Sequence, residues 1–249
     1  MADLPWYVHF FGEDYIRLYA PFLPTAKSEQ DTKHIVRLLG LHPGDHLLDL
    51  CCGYGRHALA LARYGCIVTG QDLSPSLLQK AQDEAKKQQV HVNWIQSDMR
   101  TIPFEASFDA VISMFTSFGY FQSDEEDQKV LSQISQALKP GGLFLLETIH
   151  QPRIIRTTTP HSIVHYPDGL IVLEERHFDL LTSHNTVHIS LIYPDGQRTQ
   201  YIQSIRTYTL TELVRMLKTA GLELQSYYGD LDGSPLSIES RLALISRKR

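Results

Sequence analysis

The chain has 249 residues, with 28 acidic against 23 basic side chains and a net charge of −5 when histidine is neutral. Its 43% hydrophobic and 20% charged content is that of a globular protein, not of a disordered or collagen-like one. The negative balance argues against electrostatically driven binding to nucleic acid or to an anionic membrane, and no apolar run approaches the ~20 residues that a bilayer span requires.

A chain of this length buries roughly 70–75% of its unfolded surface and needs neither disulfides nor metal to hold a core. Met1-Ala-Asp-Leu-Pro5 has no basic n-region or apolar h-region, so no signal peptide is expected. Three cysteines, two of them adjacent (Cys51 and Cys52), form no disulfide framework, which makes a reducing cytoplasm the expected location. Six of the twelve histidines lie between His150 and His188.

Residues 1–27 are rich in aromatics (Trp6, Tyr7, Phe10, Phe11, Tyr15, Tyr19, Phe22) and show no clear long period. A first helix is expected from Glu29 to Leu39, capped by Ser28 and ended by Gly40 in the left-handed conformation. A short apolar run, His46–Leu50, leads into the glycine-punctuated Cys51–Gly55 and a helical pattern that stops near Gly65. Cys66–Asp72 reads as a second strand, and Ser74-Pro75 as a cap with proline at the first helical position, opening a helix to Gln88. Val90–Ile95 and Phe108–Met114 read as strands three and four. Ser123-Asp-Glu-Glu126 looks like a metal-binding acid cluster, but its spacing is that of a capping box and acids suit a first turn. That helix runs to Leu138, and Lys139-Pro-Gly-Gly142 turns the chain into a fifth strand, Leu143–Ile149. Strands alternating with helices specify a parallel sheet covered on both faces, with ligands bound at the carboxyl ends of the strands.

From 151 to 207 the pattern changes. Leu170–Phe178, Thr186–Tyr193 and Thr199–Tyr208 are strand-rich, and Tyr-Pro-Asp-Gly turns occur at Tyr166–Gly169 and Tyr193–Gly196. Consecutive strands with short turns pair antiparallel. Thr209-Leu-Thr-Glu212 is a second capping box, opening a helix to Ala220, and Leu222–Tyr228 and Arg241–Ser246 complete the strands.

The chemistry is concentrated in Leu48-Asp-Leu-Cys-Cys-Gly-Tyr-Gly55, a strand entering a glycine-rich loop and then a helix. Glycines admit close approach of a ligand, and a helix N-terminus favours an anionic group. Gly53-Tyr-Gly-Arg-His-Ala58 fits the dinucleotide pattern G-x-G-x-x-A, and Asp72, 19 residues after Gly53, stands where a ribose-binding acid belongs. At this level a nicotinamide dinucleotide and another adenosine ligand are both open.

Three features separate them. Asp49, at the end of the first strand, would repel a pyrophosphate and suits a ligand carrying an amino group. Asp98, after the third strand, can accept a hydrogen bond from an adenine amino group while Met99 covers the ring. Ser113-Met-Phe-Thr-Ser-Phe-Gly-Tyr-Phe121, after the fourth strand, is polar and aromatic as a pocket wall should be.

Together these residues resemble the class I S-adenosylmethionine-dependent methyltransferases, strongly over residues 30–150 and more loosely over 208–249. Leu47–Gly55 looks like the family's first motif, Asp72 its ribose acid and Asp98 its adenine contact, while Phe108-Asp-Ala-Val and Leu138-Lys-Pro-Gly-Gly142 look like later motifs. Cys51 departs from the pattern, standing where the loop's first glycine is usual. Phe11-Gly-Glu-Asp-Tyr15 and Tyr19 resemble the amino-terminal segment that folds over the cofactor in small-molecule members. Their rings could attract a sulfonium or simply plug the sheet edge.

The resemblance implies an α/β, Rossmann-like, seven-stranded mostly parallel sheet with helices on both faces, the last strand antiparallel, plus an inserted antiparallel β flap. It implies S-adenosyl-L-methionine as cofactor, contacted by Tyr15, Tyr19, Asp49, Cys51, Gly53, Gly55, Asp72, Leu73, Asp98, Met99, Met114 and Phe115. Residues 1–249 then form a single methyltransferase domain: an amino-terminal cofactor-covering segment (1–27), the cofactor-binding core (28–150), the flap (151–207) and a carboxyl-terminal helix with the last two strands (208–249).

Methyl transfer needs alignment and a dry pocket, and an acidic acceptor also needs a base. His150, at the end of the fifth strand, and Tyr120 are the candidate bases, and with Phe118 the candidate substrate contacts. A small-molecule acceptor is expected. The loop after the fourth strand lacks the Pro-Pro-Tyr/Phe arrangement of nucleic-acid amino-methyltransferases, and the flap carries five acids against five bases. The flap is also a candidate surface for pairing with a second copy of the chain. No metal is expected: His161/His165 and His184/His188 repeat at i,i+4, which on a strand sets them about 13 Å apart. The alternatives are methylation of protein or RNA with a partner, a non-catalytic S-adenosylmethionine-binding protein, and a nicotinamide-dependent oxidoreductase.

Overall fold

The computed structural model describes residues 4–249. Met1 to Asp3, part of the stretch read above for a leader, lie outside the described residues.

The seven-stranded sheet is built from β1 (His46–Leu50), β2 (Ile67–Asp72), β3 (Asn93–Gln96), β4 (Phe108–Ser113), β5 (Leu138–Thr148), β10 (Leu222–Tyr228) and β11 (Leu242–Lys248). Its order is β10-β11-β5-β4-β1-β2-β3. The central pairings are parallel, and β11 runs antiparallel to both β5 and β10. Sequence order reverses between β1 and β4, so their carboxyl ends diverge there and open a crevice. Leu47, Leu48, Leu50, Val111, Ile112, Leu145 and Leu146 are fully buried in the middle of the sheet, as strands covered on both faces require.

The covering helices are α3 (Thr25–Leu39), α4 (Arg56–Tyr64), α5 (Pro75–Gln88), α6 (Asp124–Ala137) and α8 (Leu210–Thr219). Gly40 and Gly65 end α3 and α4 in left-handed conformations. Ser74, Ser123 and Thr209 cap α5, α6 and α8 through their hydroxyls. The acid cluster before α6 is therefore a helix start. The beginning of α3 differs from expectation: Pro24, not Ser28, holds the cap position, because the Lys27 and Ser28 amides bond to the Pro24 carbonyl and complete a turn earlier.

The amino-terminal segment, without a period in sequence, folds as two short helices, α1 (Trp6–Phe10) and α2 (Glu13–Tyr19). The insertion opens with α7 (Gln151–Thr157) and continues as a four-stranded meander, β6 (His161–His165), β7 (Ile171–Phe178), β8 (His184–Ile192) and β9 (Arg198–Arg206). Neither α7 nor β6 was anticipated.

Alternation along the meander sends Leu170, Val172, Val187, Ile189 and Leu191 inward against Phe10 and Leu18, so flap and amino-terminal helices share one core. Asp14 fastens them, accepting hydrogen bonds from the Tyr193 and Tyr201 hydroxyls, both at 2.6 Å. Glu175 pairs across the strands with both His161 and His188, which places these histidines on the opposite, outer face. The described residues hold no cluster of three or more metal-ligating side chains.

Candidate active site

A cavity of about 320 Å³ opens at the carboxyl ends of the parallel strands and straddles the β1/β4 crevice. The volume lies at the lower end of the range of small-molecule sites. One end is made by the loops after β1, β2 and β3, through Leu50, Cys51, Gly53, Asp72, Leu73, Asp98 and Met99. The other is made by the turn after β4, the end of β5, the flap and Arg241.

At the first end the geometry follows from β1 stopping at Leu50. Gly53 (φ +56) lines the cavity, and a Cβ there would find only Leu77 at 4.0 Å, so a side chain would fill space instead of packing. Asp72, the last residue of β2, accepts from the Gly53 amide at 2.7 Å and the Ser74 amide at 2.9 Å, tying the glycine loop to the start of α5. Burial raises its pKa against the opposing effect of those backbone bonds. Each carboxylate oxygen keeps a lone pair for a second donor.

Asp98 is clamped by Arg100 through Nε at 3.0 Å and Nη2 at 2.6 Å. Burial pushes its pKa up, but the Arg100 bonds more than offset this and hold the carboxyl below its ordinary value. Gln71, fully buried in the wall, has an Oε1 with no partner.

Cys51 occupies the place of the expected first glycine with φ +59, so the loop keeps a left-handed turn at a cost of roughly 1–2 kcal/mol. Its thiol lies 3.6 Å from Met99 Sδ, and burial raises its pKa far above the ordinary value, leaving it neutral.

A roof of aromatic rings closes the cavity. Trp6 meets Tyr120 at 4.9 Å between centroids, Phe11 stacks on Tyr120 at 5.6 Å, and Tyr15 bridges Phe11 and Tyr19 at 5.0 Å each. Ser74 Oγ donates to the Phe11 carbonyl at 2.7 Å, latching this roof to the cofactor-side loop. The rings both face the cavity and pack into the flap.

Several expected site residues are placed elsewhere. Asp49 sits behind the glycine loop, off the cavity surface. One of its oxygens has no partner, and burial lifts its pKa to about 7. Gly55 is a packing glycine: a Cβ there would come within 2.6 Å of the Trp94 ring. Met114 turns into the core with Ile112, and Phe118 packs on the Tyr208 ring at 5.7 Å.

His150 does not reach the cavity. It precedes α7, is buried with Nδ1 3.3 Å from the Ser237 carbonyl, and burial lowers its pKa. Tyr120 does line the cavity, and burial raises its phenol well above the usual range, so it remains protonated.

Thr116, from the loop read as a pocket wall, lines the far end, and residues that the sequence reading missed supply the rest of it: Asn185, Gln203 and Arg241, with Ile149, Ile154 and Ile205. Asn185 is buried and its Oδ1 has no partner. These side chains come from three separate segments, so no local motif announces them. Strand alternation in β8 and β9, which puts Asn185, Gln203 and Ile205 on the inner face, was the available signal.

The arrangement fits an adenosyl ligand with a sulfonium arm. Asp72 offers a charged acceptor to a ribose diol, Asp98 and Met99 offer an edge and a cover to an adenine, and the aromatic roof offers ring faces to a cation.

Comparison with known proteins agrees. Residues 47–142 match the family model described as a methyltransferase domain. A ubiquinone biosynthesis O-methyltransferase of Coxiella burnetii is 33% identical over 109 residues, 43% of this chain and 45% of that protein. The matched stretches span about half the length of the curated relatives. The CcbJ methyltransferase of Streptomyces caelestis superposes with a TM-score of 0.81 at 22% identity, covering 96% of this chain and 97% of that one. An amino pentose methyltransferase of Micromonospora echinaspora, solved with S-adenosylmethionine bound, gives 0.73 at 20% identity, covering 95% and 97%. At such identities the structural likeness speaks for the fold. The glycine loop and the Asp72 clamp lie on the same segment as the matched model, so residues 47–142 carry a methyltransferase domain.

Proposed function

We propose that this chain transfers a methyl group from S-adenosylmethionine to an amine on a small, polar, uncharged acceptor such as an amino sugar. The cofactor, when bound, supplies the activated methyl group. Leu50–Gly53, Asp72, Leu73, Asp98 and Met99 would hold it, with Tyr15, Tyr19 and Phe115 around its cationic end.

The observation that carries the acceptor class is the composition of the far wall. Thr116, Asn185 and Gln203 are neutral hydrogen-bonding groups, and Arg241 is neutralised by Glu147. The unpartnered Asn185 Oδ1 is a buried acceptor awaiting a donor, such as an amine or hydroxyl of the substrate. Among the described residues, the carboxylates on the cavity surface are Asp72 and Asp98, both at the cofactor end. A phenol or carbon acid would meet no base here. An amine that enters neutral needs none, only alignment and exclusion of water. The amino pentose acceptor named for one of the structural neighbours belongs to the same chemical class.

The chain's three free cysteines suit a reducing compartment such as the cytoplasm, and no described helix is long and apolar enough to cross a membrane. The test is incubation with methyl-labelled S-adenosylmethionine and a metabolite extract, separated by size and analysed by mass. Label in a small amine supports the proposal. Label in protein or RNA, or in a phenol, overturns it.

A further inference from the structure

Immediately after β4, Phe115 and Thr116 adopt φ +57 and +66, two successive left-handed residues of which neither is glycine and one is β-branched. Side chains rarely tolerate this region, and such residues persist only where their surroundings over-determine them. Both line the cavity.

What over-determines them comes from β5 and from Arg241, the residue before β11. Glu147 on β5 uses both its carboxylate and its backbone: Oε2 accepts from the Phe115 amide at 2.6 Å, and its carbonyl accepts from the Thr116 amide at 3.1 Å. Arg241, placed beside Glu147 by the antiparallel β5/β11 register, donates from Nε to Glu147 Oε1 and from Nη2 to Thr116 Oγ1 at 2.9 Å. Two guanidiniums approach the Phe115 ring, Arg56 at 5.5 Å and Arg241 at 5.7 Å from its centroid, with Tyr19 edge-on at 6.1 Å. Glu147 is itself buried.

We propose that Glu147 and Arg241 are positioning residues that hold the Phe115–Thr116 turn in its strained form, so that the wall between the cofactor and acceptor ends of the cavity is set before ligand arrives. The proposal rests on the reading of this cavity as the S-adenosylmethionine site. Without the pair the turn relaxes towards ordinary backbone angles, Phe115 leaves the wall, and the ligand must restore the strain on binding. Removing the need for strain should therefore substitute for the pair. Glycine at 116 adopts a positive φ at no steric cost, and in a chain already lacking Arg241 the hydroxyl of Thr116 has lost its partner.

The test is calorimetric titration with S-adenosylhomocysteine, together with amide exchange at Phe115 and Thr116 in the absence of ligand. Arg241→Ala is expected to weaken binding about tenfold and to speed both exchanges, since a conformation of this kind is worth that order of population. Arg241→Lys, which keeps the charge but not the fork, should fall between. Adding Thr116→Gly to Arg241→Ala should return affinity to within about threefold of the parent. Unchanged binding and exchange in Arg241→Ala overturn the proposal, and so does a double variant that binds no better than the single one, since that marks direct contact or general damage. If Arg241→Ala does not fold, the same comparison is made in Arg241→Lys. A parent protein that binds no S-adenosylhomocysteine refutes the cofactor reading instead, and the exchange rates still report on the turn.

Discussion

Asp72→Asn is a near-isosteric change with two separable consequences. In the parent both carboxylate oxygens accept backbone amides, Gly53 at 2.7 Å and Ser74 at 2.9 Å. An asparagine has one acceptor oxygen. Its NH₂ must face the other amide, so one charge-assisted bond is lost and two donors are opposed. Hydrogen bonds to a charged group contribute about 1.5–3 kcal/mol. For a chain of this size each kcal/mol moves the midpoint by roughly 2–4 °C, so Tm should fall by about 3–12 °C. A ribose diol bound to the same carboxylate would lose a bond of similar strength, which raises the Kd for S-adenosylhomocysteine by about 10- to 150-fold. Differential scanning fluorimetry without ligand reads the first effect, and calorimetry at a temperature where both proteins are folded reads the second. A variant that melts earlier yet binds ligand unchanged would show that Asp72 serves only the loop. A variant unchanged in both would refute the reasoning altogether.

Three further outcomes are expected. Gly119→Ala sets a Cβ 2.2 Å from the Arg206 carbonyl at a residue with φ +90, so it should lower stability by about 2–5 kcal/mol in urea unfolding, and a smaller loss would show that the loop yields freely. His57 is buried, and desolvation lowers its pKa to about 4. The unfolded chain therefore binds a proton that the folded one refuses between about pH 6.5 and 4, and stability is lost as pH falls through that window, by up to about 3 kcal/mol. His57→Gln should flatten this part of the Tm-against-pH curve, and an equally steep curve would assign the acid sensitivity to other groups. Asp49, with its pKa lifted to about 7 by burial, gains a proton below that pH. Affinity for the cationic S-adenosylmethionine should therefore rise from pH 6 to 8 with release of a proton, and Asp49→Asn should remove the dependence. A parent affinity that is flat in pH would contradict this.

The parts of the fold that could be read from the sequence are those whose signals are local. The alternation of strands and helices, the caps at Ser74, Ser123 and Thr209, and the glycine ends at Gly40 and Gly65 each depend on a few neighbouring residues, and each is present in the structure. The loops carrying Cys51, Gly53, Asp72 and Asp98 are likewise fixed by single strand ends, and they meet in one cavity.

The far end of the cavity was not legible because it is assembled across the chain. Arg241 reaches Thr116 across 125 positions, and Asn185 faces the cavity only because β8 packs over it. For His150, position at a strand end fixes proximity but not direction. Its ring turns to Ser237, a partner 87 residues away. The short helices α1 and α2 have too few turns for a period to show, and their aromatic faces are ordered by the flap and by Tyr120. The histidine-rich stretch belongs chiefly to the outer face of the flap, where strand pairing places His161 and His188, away from the site.

The central claim, that the cavity at the β1/β4 crevice is built for an adenosyl sulfonium cofactor, is tested most directly by calorimetric titration of the purified chain with S-adenosylmethionine, S-adenosylhomocysteine and NAD⁺ in turn. The account requires saturable binding of the first two at one site per chain, each displacing the other, and no binding of NAD⁺. Binding of NAD⁺, or no heat with either adenosyl ligand from a folded protein, would contradict it.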